Sequence, residues 1–373
     1  MDADGCRRIA VVTGSRAEFG LLRPLMRAIR KYRDLKLQTI VTGTHLLPPH
    51  RTMDEVASEF SVDATVEMQR PGETGRFADA RAMGRGVIGI AEHLERLKPD
   101  VVVVLGDRIE AFAGAAAGSI AGIRVAHIHG GDRAEGIADE SIRHAVTKLA
   151  HIHFVATARS AERVIAMGEE PRTVHLVGSP ALDDLPGFPP LTDEAYTALG
   201  SPEIVVLLHP LGRGERVEHD IARGILSACM DAGRVLVLDP NFDPGREGIV
   251  KAIESLKCPR RTHLPRAQFI GLLKRVRLIV GNSSAGLIEC AALRLPCVNV
   301  GSRQAGRERA GNVFDVEDDR DDSAVAKAVL KALNSPRSTG RHPYGEGRSG
   351  ERMASILASF EPAAHPLNKR ISY

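Results

Sequence analysis

The chain has 373 residues, 43% of them apolar and 26% charged, enough material for two domains of ordinary size. Its net charge of +3 comes from intermixed acids and bases, Trp is absent and aromatic residues make up 4%. A dedicated nucleic-acid surface and base-stacking platforms are therefore excluded, while a small anionic substrate is compatible. The N-terminus is polar (Asp2, Asp4, Arg7, Arg8) and no apolar run approaches the about 18 residues of a membrane span, so neither a signal peptide nor a membrane segment is expected. The five cysteines are scattered without a C-x-x-C pair; Cys258, Cys290 and Cys297 read as reduced core residues of a cytoplasmic protein.

In chain order, Arg8–Thr13 predicts a short strand, Gly14-Ser-Arg-Ala-Glu-Phe-Gly20 a loop, and Leu21, Leu22, Leu25, Met26 and Ile29 the apolar face of a helix. This is how a nucleotide-type α/β domain opens, although the loop lacks G-x-G-x-x-G and nothing points to NAD. Leu35–Thr42 predicts a second strand, and His45 follows its carboxyl end, where open α/β sheets bind ligands. Val62–Met68 predicts a third strand. Phe77–Leu97 predicts a long helix whose Gly84, Gly86 and Gly89 suggest close packing. The continuous apolar run Val101–Leu105 is what a central parallel strand requires; it ends in Gly106-Asp107-Arg108 and leads to a helix with Glu110 in its first turn.

The next strand, Ile123–Ile128, ends in His127-Ile-His-Gly-Gly-Asp132. Two adjacent parallel strands would thus deliver Asp107, Arg108, His127, His129 and Asp132 to one sheet edge. Asp139 is read as the N-cap of a helix carrying Arg143 and His144 one turn later, with His151 and His153 on the strand beyond. His127 and His129 alternate on a strand and point the same way, yet no H-E-x-x-H helix is present. A metal-free catalytic cluster is expected, with packed, hydrogen-bonded histidines as the plainer alternative. Val155–Gly168 predicts a helix and Thr173–Val177 a strand. The stretch 182–202 is rich in Pro, Asp and Gly and marks the domain boundary. The expected organisation is a first domain over 1–183, a linker over 184–202, a second domain over 203–349, and a helix and tail over 350–373 that cross back to the first domain.

The second domain restarts the pattern with strand Ile204–Leu208 ending in His209, helix Val217–Asp231, strand Arg234–Leu238 leading to Asn241, and helix Ala267–Arg275. Then comes the most informative run, Leu278-Ile-Val-Gly-Asn-Ser-Ser-Ala-Gly-Leu-Ile-Glu289. It predicts a buried strand, a tight turn with positive φ at Gly281 and Asn282, and a helix opened by Ser283 and Ser284 that runs to about Leu293. Such an N-terminus is a ready phosphate site, with two hydroxyls as extra donors and Glu289 placed to accept from ribose hydroxyls. After strand Cys297–Val300, Gly301-Ser-Arg-Gln-Ala-Gly-Arg307 offers Arg303 and Arg307 to a phosphate or a base-ordering loop. An ordinary strand–helix–strand unit with a serine N-cap is the alternative for the serines alone. A loop over 318–320, a helix over Ser323–Leu333, a flexible segment over 335–349 and a final helix over Gly350–Phe360 complete the chain.

The run Gly281–Glu289 together with Asn299–Arg307 resembles the hydrolysing UDP-N-acetylglucosamine 2-epimerases, which read G-N-S-S-x-G-x-x-E followed by N-x-G-x-R-Q-x-G-R. Thr13–Gly20, Thr42–Leu46, the H-P at His209 and the P-N-x-D-x-G around Asn241 extend the resemblance from Val11 to about Val316. The opening loop is unlike the G-T-R-P-E of the non-hydrolysing enzymes. The resemblance implies GT-B architecture, two Rossmann-like doubly wound domains with an interdomain cleft. It implies that UDP-N-acetylglucosamine and water give N-acetylmannosamine and UDP, by elimination to 2-acetamidoglucal and then hydration, with C2 approached from the other face. It also implies a supply of N-acetylmannosamine for sialic-acid-like sugars, a homodimer or homotetramer, and no cofactor or metal.

By that match Arg16, Ser283, Ser284 and Arg303 stabilise the leaving diphosphate, and His209 contacts or protonates a phosphate oxygen. Asp107 and Asp139 share acid/base work. His45, Arg108, Arg143, Asn241 and Glu289 bind substrate. His129 stands where several members carry Glu, so His129 or Asp132 takes that acid/base role. The close alternative is the same chemistry on a modified sugar nucleotide, UDP-diacetamido-trideoxyglucose or a GDP-linked analogue. A GT-B glycosyltransferase would share the nucleotide site but need an acceptor. A non-catalytic sensor is disfavoured because unneeded polar groups in a cleft cost stability.

Overall fold

In the computed structural model, which describes residues 5–48, 51–134, 139–241, 243–317 and 322–370, the chain divides into two compact units. One comprises Met1–Asp132, Ala138–Asp183 and Tyr344–Tyr373; the other comprises Arg133–Ile137 and Asp184–Pro343.

Among the described residues of the first unit, seven strands pair in parallel: β1 (Arg7–Thr13), β2 (Leu35–Thr42), β3 (Ala64–Val66), β4 (Val101–Leu105), β5 (Arg124–Ile128), β6 (Ile152–Val155) and β7 (Val174–Leu176). Their order is β3-β2-β1-β4-β5-β6-β7. Parallel neighbours need long crossovers, which helices supply. The first crossover, helix Arg16–Ile29, buries Phe19, Leu22, Leu25, Met26 and Ile29 and is capped by Ser15, whose hydroxyl accepts from the Glu18 N–H. Strand order reverses between β1 and β4, the point at which such sheets bind ligands beyond their carboxyl ends.

The second unit repeats the plan with β8 (Ile204–Leu207), β9 (Val235–Leu238), β10 (Arg260–Arg261), β11 (Leu278–Gly281), β12 (Cys297–Val300) and β13 (Val313–Val316), ordered β10-β9-β8-β11-β12-β13. Its reversal lies between β8 and β11, which pair from Leu278↔Ile204 to Gly281↔Leu207. At Gly281, φ is +146° and a Cβ would lie 2.0 Å from the Leu207 carbonyl oxygen, so only glycine fits between these strands. Asn282 does not share that positive φ.

Several element boundaries differ from the sequence expectation. The helix expected over 155–168 spans Ala158–Ala166, because Val155 is the buried last residue of β6 and Thr157 caps the helix. The helix expected from Ser283 to Leu293 is broken into a 3₁₀ turn, Ser284–Gly286, and a short helix, Glu289–Ala292. Gly286 packs against Cys297, whose Sγ would lie 2.4 Å from an added Cβ. Residues 318–320 lie outside those described. Cys229, Cys258, Cys290 and Cys297 are free and buried. No helix among the described residues is long and apolar enough to cross a membrane.

The stretch expected to be flexible, 335–349, is anchored at its end. Tyr344 is fully buried and its carbonyl accepts from Ser179 N at 2.9 Å, while Asp183 accepts from Ser349 N at 2.8 Å and Gly350 N at 2.7 Å. Helix Ser349–Ser359 then packs on helix Arg16–Ile29, so close that a Cβ on Gly350 would lie 2.5 Å from the Pro24 carbonyl carbon. Gly350→Ala is expected to destabilise the first unit by on the order of 3 kcal/mol, since backbone rather than a flexible side chain must give way; urea unfolding followed by circular dichroism measures this. The Pro-rich segment after Asp183 packs on the second unit, where Lys274 Nζ donates to the carbonyls of Leu185 (2.9 Å) and Phe188 and Arg275 donates to that of Leu191 (2.8 Å).

Candidate active site

In the first unit the loops after β1, β2 and β4 meet over a buried carboxylate. Glu110 is fully buried, and a Cβ on Gly14 would lie 2.3 Å from its Cγ. Glu110 accepts from Gln69 Nε2 at 2.8 Å and from Arg108 Nε at 3.3 Å. Glu18 is also buried; its Oε2 accepts from Gly14 N at 2.7 Å, and its Oε1 has no hydrogen-bond partner. Burial, then the nearby Glu110 charge, raises the Glu18 pKa to about 8. Sequence reasoning missed this pair, although Ser15-Arg-Ala-Glu18 carries the S-x-x-E spacing of a helix start. Arg16 leaves the loop and pairs with Glu55 at 3.1 Å, half-exposed.

His45 does stand at the end of β2, but its ring is fully buried. Nε2 bonds Thr13 Oγ1 at 3.0 Å and Nδ1 bonds Thr52 Oγ1 at 2.6 Å, and burial lowers its pKa to about 4. It is a packed histidine with both ring nitrogens occupied, not one presented to a ligand. His127 is likewise packed: its Nε2 lies 2.8 Å from the Gly106 carbonyl and its Nδ1 3.1 Å from Thr147 Oγ1, and burial lowers its pKa to about 3. His153 is bound to Glu169 at 3.0 Å. No group of three or more metal-binding side chains occurs among the described residues.

His129 differs from these. It directly follows β5 with φ at +66°, a conformation uncommon for a residue with a side chain. Its Nδ1 lies 2.8 Å from Asp132 Oδ2, and its Nε2 lies 3.3 Å from Ser179 Oγ at the end of β7. Asp132 Oδ1 accepts from Ser160 Oγ at 2.8 Å. Gly131 permits this fold-back, since a Cβ there would meet the Ser160 carbonyl oxygen at 2.2 Å. In the loop after neighbouring β4, Asp107 is ion-paired with Arg143. Arg143 is buried and also donates to the Asp132 carbonyl at 3.0 Å and to Glu140 at 3.1 Å, which makes it an internal strut that holds Asp107. Asp139 is the first residue of helix Asp139–Leu149; its side chain lies outside the described ones.

In the second unit the reversal point is tied together by Asn282, itself buried. Its Oδ1 accepts from His209 N at 2.7 Å and its Nδ2 donates to His209 O at 2.8 Å. Its carbonyl accepts from Gln304 Nε2 at 3.0 Å and Arg303 at 3.4 Å. Asn241 N donates to His209 Nδ1 at 3.2 Å. One asparagine therefore binds the loops after β8, β11 and β12, and the loop after β9 joins through His209. With Nδ1 accepting, the neutral His209 ring carries its proton on Nε2. Burial, and next the Arg303 charge, lowers its pKa to about 3, so it offers a neutral N–H and not an acidic imidazolium.

Ser283 caps the 3₁₀ turn, its Oγ accepting from Ala285 N at 3.4 Å, and both serines are half-buried. Glu289 is ion-paired with Arg266 at 3.2 Å. Arg307 donates to the Arg133 carbonyl at 3.4 Å.

Two doubly wound parallel-sheet domains of this kind define an α/β protein of the GT-B class. The family model described as UDP-N-acetylglucosamine 2-epimerase matches residues 27–358. The chain belongs to the UDP-N-acetylglucosamine 2-epimerase family. It is 36% identical, over 98% of its length and 100% of the relative, to the UDP-N,N'-diacetylbacillosamine 2-epimerase (hydrolyzing) of Legionella pneumophila. It is 31% identical to the UDP-N-acetylglucosamine 2-epimerase of Neisseria meningitidis, over 95% of the chain and 96% of the relative. Among solved structures, the fold matches the Neisseria meningitidis enzyme bound to UDP-GlcNAc with TM-score 0.79 at 19% identity, covering 94% of this chain and 99% of that one. It matches S. aureus MnaA with UDP equally, at TM-score 0.79 and 19% identity, covering 94% and 96%.

Proposed function

We propose that the protein is a hydrolysing 2-epimerase that converts a UDP-linked 2-acetamido sugar and water to the free 2-epimer and UDP. The observation that carries the reading is the acid/base edge of β4 and β5, where Asp107 on its arginine strut and the hydrogen-bonded His129 and Asp132 lie on adjacent strand ends of a chain in this family. Elimination across C1–C2 and rehydration need proton carriers on the sugar and stabilisation of a leaving diphosphate, and no redox group. The reading gives the proton work to Asp107, His129 and Asp139. It gives nucleotide contacts to Asn241, Ser283, Ser284, Glu289 and Arg303, and lets His209 hydrogen-bond a phosphate oxygen. Arg16 and Arg108 remain candidates for substrate phosphate or hydroxyls, whereas His45 and Arg143 act from inside the fold.

UDP-N-acetylglucosamine is the first substrate to test. The 36% likeness to the Legionella enzyme along the whole chain favours a second, a UDP-2,4-diacetamido-2,4,6-trideoxy sugar. Each is incubated with the purified protein in heavy water and followed by NMR. Free UDP with a C2-deuterated 2-epimer is the expected result. A UDP-linked epimer as the sole product would mean that the phosphate is retained, and turnover only with an added acceptor would move the reading to a glycosyltransferase.

A further inference from the structure

We propose that Asp132 and Ser179 are positioning residues that fix His129 with its proton on Nδ1 and its Nε2 lone pair as the base that takes the C2 proton of the sugar. The inference rests on the epimerase reading for the substrate, but its core is geometric. An ionised carboxylate only accepts hydrogen bonds, so the 2.8 Å contact with Asp132 Oδ2 places the His129 proton on Nδ1. Nε2 of the neutral ring is then an acceptor, and the Ser179 hydroxyl, 3.3 Å away, donates to it. Ser179 Oγ in turn accepts from Ala181 N at 3.4 Å, which directs its hydroxyl proton toward the imidazole. Ser160 donates to the other Asp132 oxygen and keeps that carboxylate from rotating.

The residues come from the ends of β5, β6 and β7 and are each less than a tenth exposed. His129 is held at positive φ, and such backbone strain collects where a side chain must be aimed. The arrangement has the logic of a hydroxyl–imidazole–carboxylate triad, with the imidazole used as the base and the hydroxyl as a guide. In the elimination step the C2–H electron pair becomes the C1–C2 double bond as the C1–O bond breaks and the diphosphate leaves. The Ser179 hydroxyl turns away from Nε2, the C2 proton passes to the lone pair it has left, and the resulting imidazolium is balanced by Asp132. Asp132 is thereby assigned as the group that orients, and His129 as the group that carries the proton.

The test has one spectroscopic and one kinetic arm. Protein labelled with ¹⁵N-histidine is examined by long-range ¹H–¹⁵N NMR, and the His129 signals are assigned with His129→Gln. Wild type is expected to show His129 protonated on Nδ1. In Asp132→Asn the amide donates to Nδ1 and moves the proton to Nε2. A wild-type ring protonated on Nε2, or a tautomer unchanged in Asp132→Asn, overturns the proposal whichever sugar the enzyme uses. In UDP-release assays with the sugar nucleotide that wild type turns over, Asp132→Asn is expected to lower kcat at least about a hundredfold. Ser179→Ala is expected to lower kcat about tenfold, with KM within about threefold and UDP affinity by calorimetry unchanged. Wild-type kcat in Asp132→Asn also overturns it. If wild type turns over neither sugar, the epimerase reading fails and the tautomer measurement still decides the positioning.

Discussion

Glu18→Gln will stabilise the protein at alkaline pH, and the gain will vanish in acid. Glu18 lies buried beneath the Gly14 loop with one oxygen bonded to Gly14 N, the other unpartnered, and the Glu110 carboxylate close enough to repel it. Its pKa rises from the ordinary 4.5 to about 8 on folding. Between those pH values the folded chain keeps a proton that the unfolded chain releases. Stability therefore falls as pH rises from about 4.5 to about 8 and is level beyond that, and the full penalty is roughly 5 kcal/mol.

Glutamine keeps the acceptor for Gly14 N and places an uncharged N–H donor where the second oxygen sits. The difference in stability between Glu18→Gln and wild type should be near zero at pH 4.5 and grow to several kcal/mol in favour of the variant at pH 8.5. Hydrogen exchange at β1 and β4 amides, which reports the first unit, is the measurement; because titrating groups that do not interact with Glu18 cancel in the difference, a flat profile would show that Glu18 is ionised in the folded protein.

Asn282→Ala is expected to cost the second unit about 2–4 kcal/mol. The substitution strands two part-buried backbone groups of His209, the N–H and the carbonyl, and opens a small cavity at the β8–β11 reversal. The bonds from Arg303 and Gln304 reach the Asn282 main chain and survive. The loop after β8 should loosen more than the loop after β12. Under the proposed function, KM for the sugar nucleotide and Kd for UDP should rise at least about tenfold with a smaller change in kcat. Asn282→Asp separates the two bonds: it keeps the acceptor for His209 N but sets a carboxylate oxygen against the His209 carbonyl, and should be at least as damaging as Ala. Denaturant unfolding and UDP calorimetry on the same preparations test both, and unchanged stability in either variant would show that the two-point clamp carries no load.

Most of what was legible in the sequence is local or periodic. The strands β2 and β4 are readable residue for residue, β4 because a continuous apolar run closed by a glycine loop admits few other structures, and the repeat of strand–loop–helix announces two parallel-sheet units. The ends of β4, β5, β8 and β11 could be named as site positions for the same reason, since strand ends are where such sheets place ligand loops. The motifs at Thr13–Gly20 and Gly281–Glu289 pointed to the family.

What only tertiary structure decided is which polar groups meet across strands that are distant in sequence. His45, His127 and His129 look alike in sequence and all three have both ring nitrogens bonded, yet only His129 stands at positive φ with a carboxylate, Asp132, on Nδ1. Arg143 reads as a ligand-binding arginine until its burial against Asp107 shows it to be a strut. Ser283 and Ser284 read as the start of one helix, but the chain forms a 3₁₀ turn over Ser284–Gly286, with Gly286 packed against Cys297, before the short helix Glu289–Ala292. Asn282 and Glu18 read as turn and loop residues. Their weight comes from partners 73 and 4 positions away in the chain, brought together by the reversal of strand order and by burial, which turns ordinary polar side chains into groups whose every hydrogen bond counts.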